Sequence, residues 1–144
     1  LLYEALVEKA GDSSVGLLLS FVLEDTRKHE ELLQHISRVM NQKWPPPEAE
    51  CGREMGESFG SSIDFARSLR ERVRQGAPLL EIMPKLTDYE GMIGEEYMTL
   101  VHARLSVYEE KDAAIRKILE YIAADEARHQ EALRVAAKLA SDIK

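Results

Sequence analysis

Ala123-Ala124-Asp125-Glu126-Ala127-Arg128-His129-Gln130-Glu131-Ala132-Leu133 and Leu23-Glu24-Asp25-Thr26-Arg27-Lys28-His29-Glu30-Glu31-Leu32-Leu33 are two versions of one segment, set one hundred residues apart. Each lies in an apolar stripe with helical spacing. Each stripe is interrupted by residues at i and i+3, Glu126 with His129 in one copy and Thr26 with His29 in the other. Residues three apart share a helix face, so both pairs are expected to point into a core, where a carboxylate or an imidazole is costly to bury without a partner. A metal ion is such a partner. The comparison also predicts a ligand set one carboxylate short, because Thr26 stands where the second copy carries Glu126.

Working outward, the stripe Val15, Leu18, Leu19, Val22, Thr26, His29, Leu33, Ile36, Met40 predicts a helix from about Ser14 to Met40. Ile115, Ile118, Ile122, Glu126, His129, Leu133 and Ala136 predict another from Asp112 to near the C-terminus. Leu2, Leu6 and Val7 place a shorter helix over 1–10, stopped at Gly11-Asp12, with Asp12, Ser13 or Ser14 capping the next. Asn41 to Gly60 is rich in proline and glycine, including Pro45-Pro46-Pro47. It is too long for a turn and reads as a crossover connection. Ser61 or Ser62 suits the start of a short helix that lays Ile63, Ala66, Leu69 and Val73 along one side and ends at Gly76. Pro78 to Met83 reads as one more helical piece, and Pro84 suits the first turn of a long helix to about Glu109. Its stripe of Tyr89, Ile93, Glu96, Leu100, Ala103 and Val107 is apolar except for Glu96, the second inward carboxylate. Glu95 falls about 100° away and is the weaker candidate. Strand-type alternation is absent, so the expectation is one all-α domain over 1–144, with 41–84 as its crossover region.

Composition removes several functions. A net charge of −7 argues against nucleic acid and against an anionic membrane surface. Arg67, Arg70, Arg72 and Arg74 alternate with acids near the end of a helix, where positive charge suits the dipole. The longest apolar run, Val15 to Leu23, is broken by Ser20 and is shorter than the roughly 20 residues needed to span a bilayer. Cys51 is the single cysteine, so the chain forms no internal disulfide and has no Cys-x-x-Cys knuckle. A reducing, cytoplasmic compartment is the expectation.

Two helical hairpins joined by a long crossover form an up-down four-helix bundle. The Glu126-x-x-His129 segment resembles the last bundle helix of the ferritin and rubrerythrin superfamily, and Thr26-x-x-His29 resembles its second helix with the glutamate replaced. Glu96 sits at about the place of the third-helix ligand glutamate. The resemblance covers essentially the whole chain. It implies a di-metal centre built from a glutamate on each of two helices and a Glu-x-x-His on each of the others. It also places the first-helix glutamate upstream of Leu1. Either residues precede Leu1 or a second protomer completes the bundle, and a homodimer is expected.

The candidate inner shell is therefore Glu96, Glu126, His129 and His29, two nitrogens and two carboxylates, which suits Fe, Mn or Zn by ligand type. A hydroxyl at Thr26 cannot bridge two metals, so a mononuclear or incomplete dinuclear site is expected. Three functions follow. One is a redox metalloprotein acting on peroxide or dioxygen with an external electron donor. Another is an iron-binding or storage role without turnover. The third is a bundle that no longer binds metal and serves as a dimeric or partner-binding scaffold around a proton-sharing Glu–Glu–His cluster. His35 and His102 read as solvated and structural, and Tyr89, Tyr97 and Tyr121 as core and interface aromatics.

Overall fold

The computed structural model describes residues 2–41, 43, 53, 56–91 and 112–142, with backbone alone for 57–59. Within it α1 spans Leu2–Ala10, α2 Ser14–Val39, α3 Glu57–Arg74, α4 residues 79–91 and α5 Ala113–Asp142. No strand occurs among the described residues, so the all-α expectation holds. Most of the expected crossover, Cys51, and the far part of the long helix with Glu95, Glu96, Tyr97 and His102 lie outside the described residues.

The α1–α2 hairpin is set by its small residues. Gly11 takes φ 56, in the left-handed region that glycine enters without a side-chain clash. Ser13 then caps α2, its Oγ accepting from the Gly16 N–H at 3.0 Å. Gly16 lies so close to the Gly11 carbonyl that a side chain there would collide with it. At the other end of the chain the Asp112 carboxylate accepts from the Ala114 and Ile115 N–H groups and starts α5.

Two boundaries differ from the expectation. α3 begins at Glu57 rather than at Ser61 or Ser62, because Gly56 with φ 68 provides the break and the serines continue the helix. Helix α4 runs unbroken through Pro84, where two pieces were expected. Proline removes one backbone hydrogen bond, to the Leu80 carbonyl, and Leu80 and Pro84 are both exposed, on the side of the helix where the loss costs least.

All five helices supply the core, which includes Leu6, Val15, Leu19, Val22, Leu69, Val73, Ile82, Met83, Leu86, Leu133 and Ala136. Helix α2 packs on α5, and α1 packs on both α2 and α3. Burying a leucine contributes roughly 1.5–3 kcal/mol, so this apolar plug is the main stabiliser of the fold. Helices α2 and α5 run antiparallel. The polar layer follows the plug directly, His29 lying beyond Val22 on α2 and His129 beyond Leu133 on α5. Tyr121 is outside the core, 56% exposed, with Lys117 Nζ 5.1 Å from its ring centroid. No described helix is long and apolar enough to cross a membrane.

Candidate metal centre

Antiparallel packing of α2 on α5 brings each copy of the duplicated segment against the other. His29 Nε2 donates to Asp125 Oδ2 at 2.9 Å, and His129 Nε2 donates to Asp25 Oδ2 at 3.3 Å. Each aspartate lies one turn before its own histidine and holds the histidine of the opposite helix. The two rings stand 5.6 Å apart and tilted by 34°, and Phe21 meets the His129 ring edge-on at 6.2 Å. His29, His129 and Asp125 are buried, at 6%, 2% and 8% exposure.

The aspartates have cations of their own. Lys28 donates to Asp25 at 2.6 Å and reaches Asp125 at 3.4 Å, while Arg128 donates to Asp125. The Lys28 hydrogen bond holds the Asp25 carboxyl below the usual carboxylate range, against burial and with help from His129. An anionic aspartate on Nε2 fixes the tautomer, because a neutral imidazole that donates from one nitrogen accepts at the other. The accepting nitrogens both face Glu126. His29 Nδ1 is 3.8 Å from Glu126 Oε1, and His129 Nδ1 is 3.6 Å from Glu126 Oε2.

Acceptors facing acceptors call for a cation between them. A proton is one answer, and the two rings respond to it differently. Burial pushes the His29 imidazole below its ordinary value, with His129 and Lys28 acting the same way against Glu126. Burial also pulls on His129, but Glu126 and Asp25 outweigh it and raise that imidazole. A metal ion is the other answer. Two Nδ1 atoms and a carboxylate are donors of the kind that divalent transition metals take, and the second nitrogen of each ring is held by a carboxylate, a common arrangement for metal-bound histidines. Among the described residues no three His, Cys, Asp or Glu side chains stand close enough together to hold an ion as placed, so closing the set requires side-chain movement.

These residues line a cavity of about 380 Å³. Leu2, Leu33, Ala66, Tyr89 and Ile122 provide its apolar wall, and Tyr89 stacks on Phe65 at 5.1 Å. Helix α4 contributes Glu90, whose Oε1 accepts from the Tyr3 hydroxyl at 2.6 Å. Burial raises the Glu90 carboxyl and Glu126 adds to this, while the Tyr3 hydrogen bond and His129 oppose it. Burial and Glu90 together push the Tyr3 hydroxyl well above its ordinary value.

Of the residues expected from sequence, His29, His129 and Glu126 come together, and Glu96 lies outside the described residues. Thr26 is placed differently from the expectation. It is exposed on the cavity rim, with its hydroxyl donating to the Val22 carbonyl at 2.8 Å, and Asp25 occupies the inner position on that turn. Sequence reasoning missed Asp25, Asp125, Glu90 and Tyr3. The aspartates left a signal, since Asp-x-x-x-His is common to both copies whereas Glu-x-x-His is not. No protein-family model, curated protein or solved structure matches the chain.

Proposed function

We propose that this chain is a ferritin-like bundle that binds iron or manganese through His29, His129 and Glu126. A further carboxylate comes from Glu90 on α4 or from Glu96, the residue expected from sequence. One observation carries this reading: the Nδ1 atoms of two buried histidines converge on a single carboxylate, with each Nε2 held by an aspartate of the opposite helix. With both rings neutral, that arrangement presents lone pairs to whatever lies between. A bound redox metal would supply electron transfer and a Lewis-acidic position for peroxide or dioxygen.

The chain's own residues have defined tasks in that chemistry. Asp25 and Asp125 orient the imidazoles. Lys28 holds the Asp25 carboxyl low, and Arg128 donates to Asp125. Glu90, raised by burial and accepting from the Tyr3 hydroxyl, stands at the cavity wall as a carboxylate that takes up a proton more readily than an exposed one. The electrons come from an external donor, the chain works as a cytoplasmic homodimer, and the site is mononuclear or an incomplete dinuclear one because Thr26 offers no carboxylate.

Elemental analysis of protein supplied separately with Fe(II), Mn(II) and Zn(II), beside a Glu126→Ala/His129→Ala variant, tests the reading. The expected result is about one metal per chain, absent from the variant. No metal in either protein would overturn it. The reciprocal Asp–His pairs also hold both rings in place without any ion, with a proton between Nδ1 and Glu126 as the cation, and this favours as second reading a metal-free scaffold that binds a partner or its own copy.

A further inference from the structure

The cavity is larger than the proposed oxidants require. A water molecule has a share of liquid volume of about 30 Å³, and peroxide or dioxygen needs only about twice that. A space of about 380 Å³ is instead the size of a small organic-ligand pocket. Its lining divides by chemistry. Leu33, Ala66 and Ile122 belong to an apolar wall, and Glu30, Glu90 and Glu126 stand on the polar side with the two histidines. Among the described residues, no lysine or arginine lines the cavity. The hydroxyls do not offset this, since Tyr3 donates to Glu90 and Thr26 donates to its own helix.

We propose that the cavity binds a small organic amine, its apolar body against Leu33, Ala66 and Ile122 and its cationic head among Glu30, Glu90 and Glu126. The volume has room for an organic body. The charge favours a cationic head over an anionic one, because three glutamates with no lysine or arginine among the described lining residues face the space. An ammonium group carries three donors and no acceptor, the complement of a wall whose polar groups accept. The inference goes beyond the metal reading and needs only the cavity and its acceptors, so it holds or fails in metal-free protein.

The test is calorimetric titration of the full chain after chelator treatment, with elemental analysis confirming that no metal remains. The probes are n-hexylamine, methylamine and hexanoate. Hexylamine is expected to bind one per chain, at least tenfold tighter than methylamine, which lacks the apolar body, and at least tenfold tighter than hexanoate, which has the wrong charge. Ala66→Phe fills the wall and is expected to weaken hexylamine at least tenfold with its helical circular dichroism unchanged. Equal affinity for hexanoate would overturn the proposal, as would equal affinity for methylamine or hexylamine binding that persists in a folded Ala66→Phe protein. Metal stoichiometry measured on the same preparation separates the two readings. Hexylamine binding in a protein that takes up no metal ends the metal reading alone, and metal uptake without hexylamine binding ends this one alone.

Discussion

His29 and Asp125 are joined across the α2–α5 seam by a 2.9 Å hydrogen bond, shorter than the 3.3 Å bond of the mirrored pair His129 and Asp25. Asp125 is also the better braced of the two aspartates, contacted by both Arg128 and Lys28. The His29 tautomer is therefore the more firmly imposed. Asp125→Asn keeps the shape but offers a side-chain amide that can donate to Nε2, which shifts the ring proton to Nδ1, facing Glu126. Metal affinity is expected to fall roughly 10–100-fold, and Asp25→Asn to cost less. Competitive titration against a coloured chelator reads both, and unchanged affinity in Asp125→Asn would remove the orienting role.

The histidines give opposite pH dependences in metal-free protein. The His129 imidazole is raised in the fold, so its contribution to stability is fully present below its ordinary value and is lost as pH rises through the folded value. His29 is lowered, so it opposes folding once pH falls below its ordinary value. Against wild type, His129→Gln is expected to lose more stability at pH 5.5 than at pH 8 (both near the ordinary imidazole value of about 6.5), and His29→Gln to lose less at the lower pH. Urea unfolding with chelator present measures both. Parallel pH profiles for the two variants would contradict the assignment.

Much of this layer could be read from the chain, and the unreadable part has a definite cause. The duplicated stripes located α2, α5 and the convergence of His29, His129 and Glu126, since a 3.6-residue period fixes which residues share a face. The same period cannot fix a helix's rotation to within one residue. The choice between Asp25 and Thr26 as inner residue was decided by tertiary partners, because Asp25 finds Lys28 and His129 whereas Thr26 satisfies its hydroxyl on Val22. Glu90 was hidden for a related reason. Its neighbour Tyr89 completed an apolar stripe, and only the fold reveals that Tyr3, eighty-seven residues away, receives the carboxylate. Pro84 misled because proline suits a helix start, while a solvent-facing position tolerates it further in.

Glu90 should trade stability against binding. Its carboxyl is raised by burial, so the stability it contributes is present below the ordinary carboxylate value and is lost as pH rises through the raised folded value. Glu90→Gln keeps an acceptor for the Tyr3 hydroxyl and removes the charge. The variant is expected to be more stable than wild type at pH 7.5 by on the order of 1 kcal/mol, with the gap closing toward pH 4.5, near the ordinary carboxylate range. Metal affinity is expected to fall in the same protein. Denaturation at the two pH values tests the first part and metal titration the second, and a variant less stable than wild type at pH 7.5 would show that the charged Tyr3–Glu90 hydrogen bond outweighs the burial.

Thr26→Glu asks whether the site lacks only a carboxylate. Thr26 lines the cavity with His29 and Glu126, and its hydroxyl is already committed to the Val22 carbonyl, so the substitution gives up one local hydrogen bond on an exposed turn. Stability is expected to change by less than about 1 kcal/mol in metal-free protein, because exposed substitutions are usually small. With metal the new carboxylate adds a negative oxygen donor beside two imidazoles and Glu126, and hard divalent ions gain from each such donor. At least tenfold tighter Mn(II) binding is therefore expected, with a rise in the metal-to-chain ratio if the added group bridges to a second ion. Unchanged affinity in a folded variant would mean that position 26 points away from the coordination space, and that the carboxylate completing the site has to come from the fourth helix.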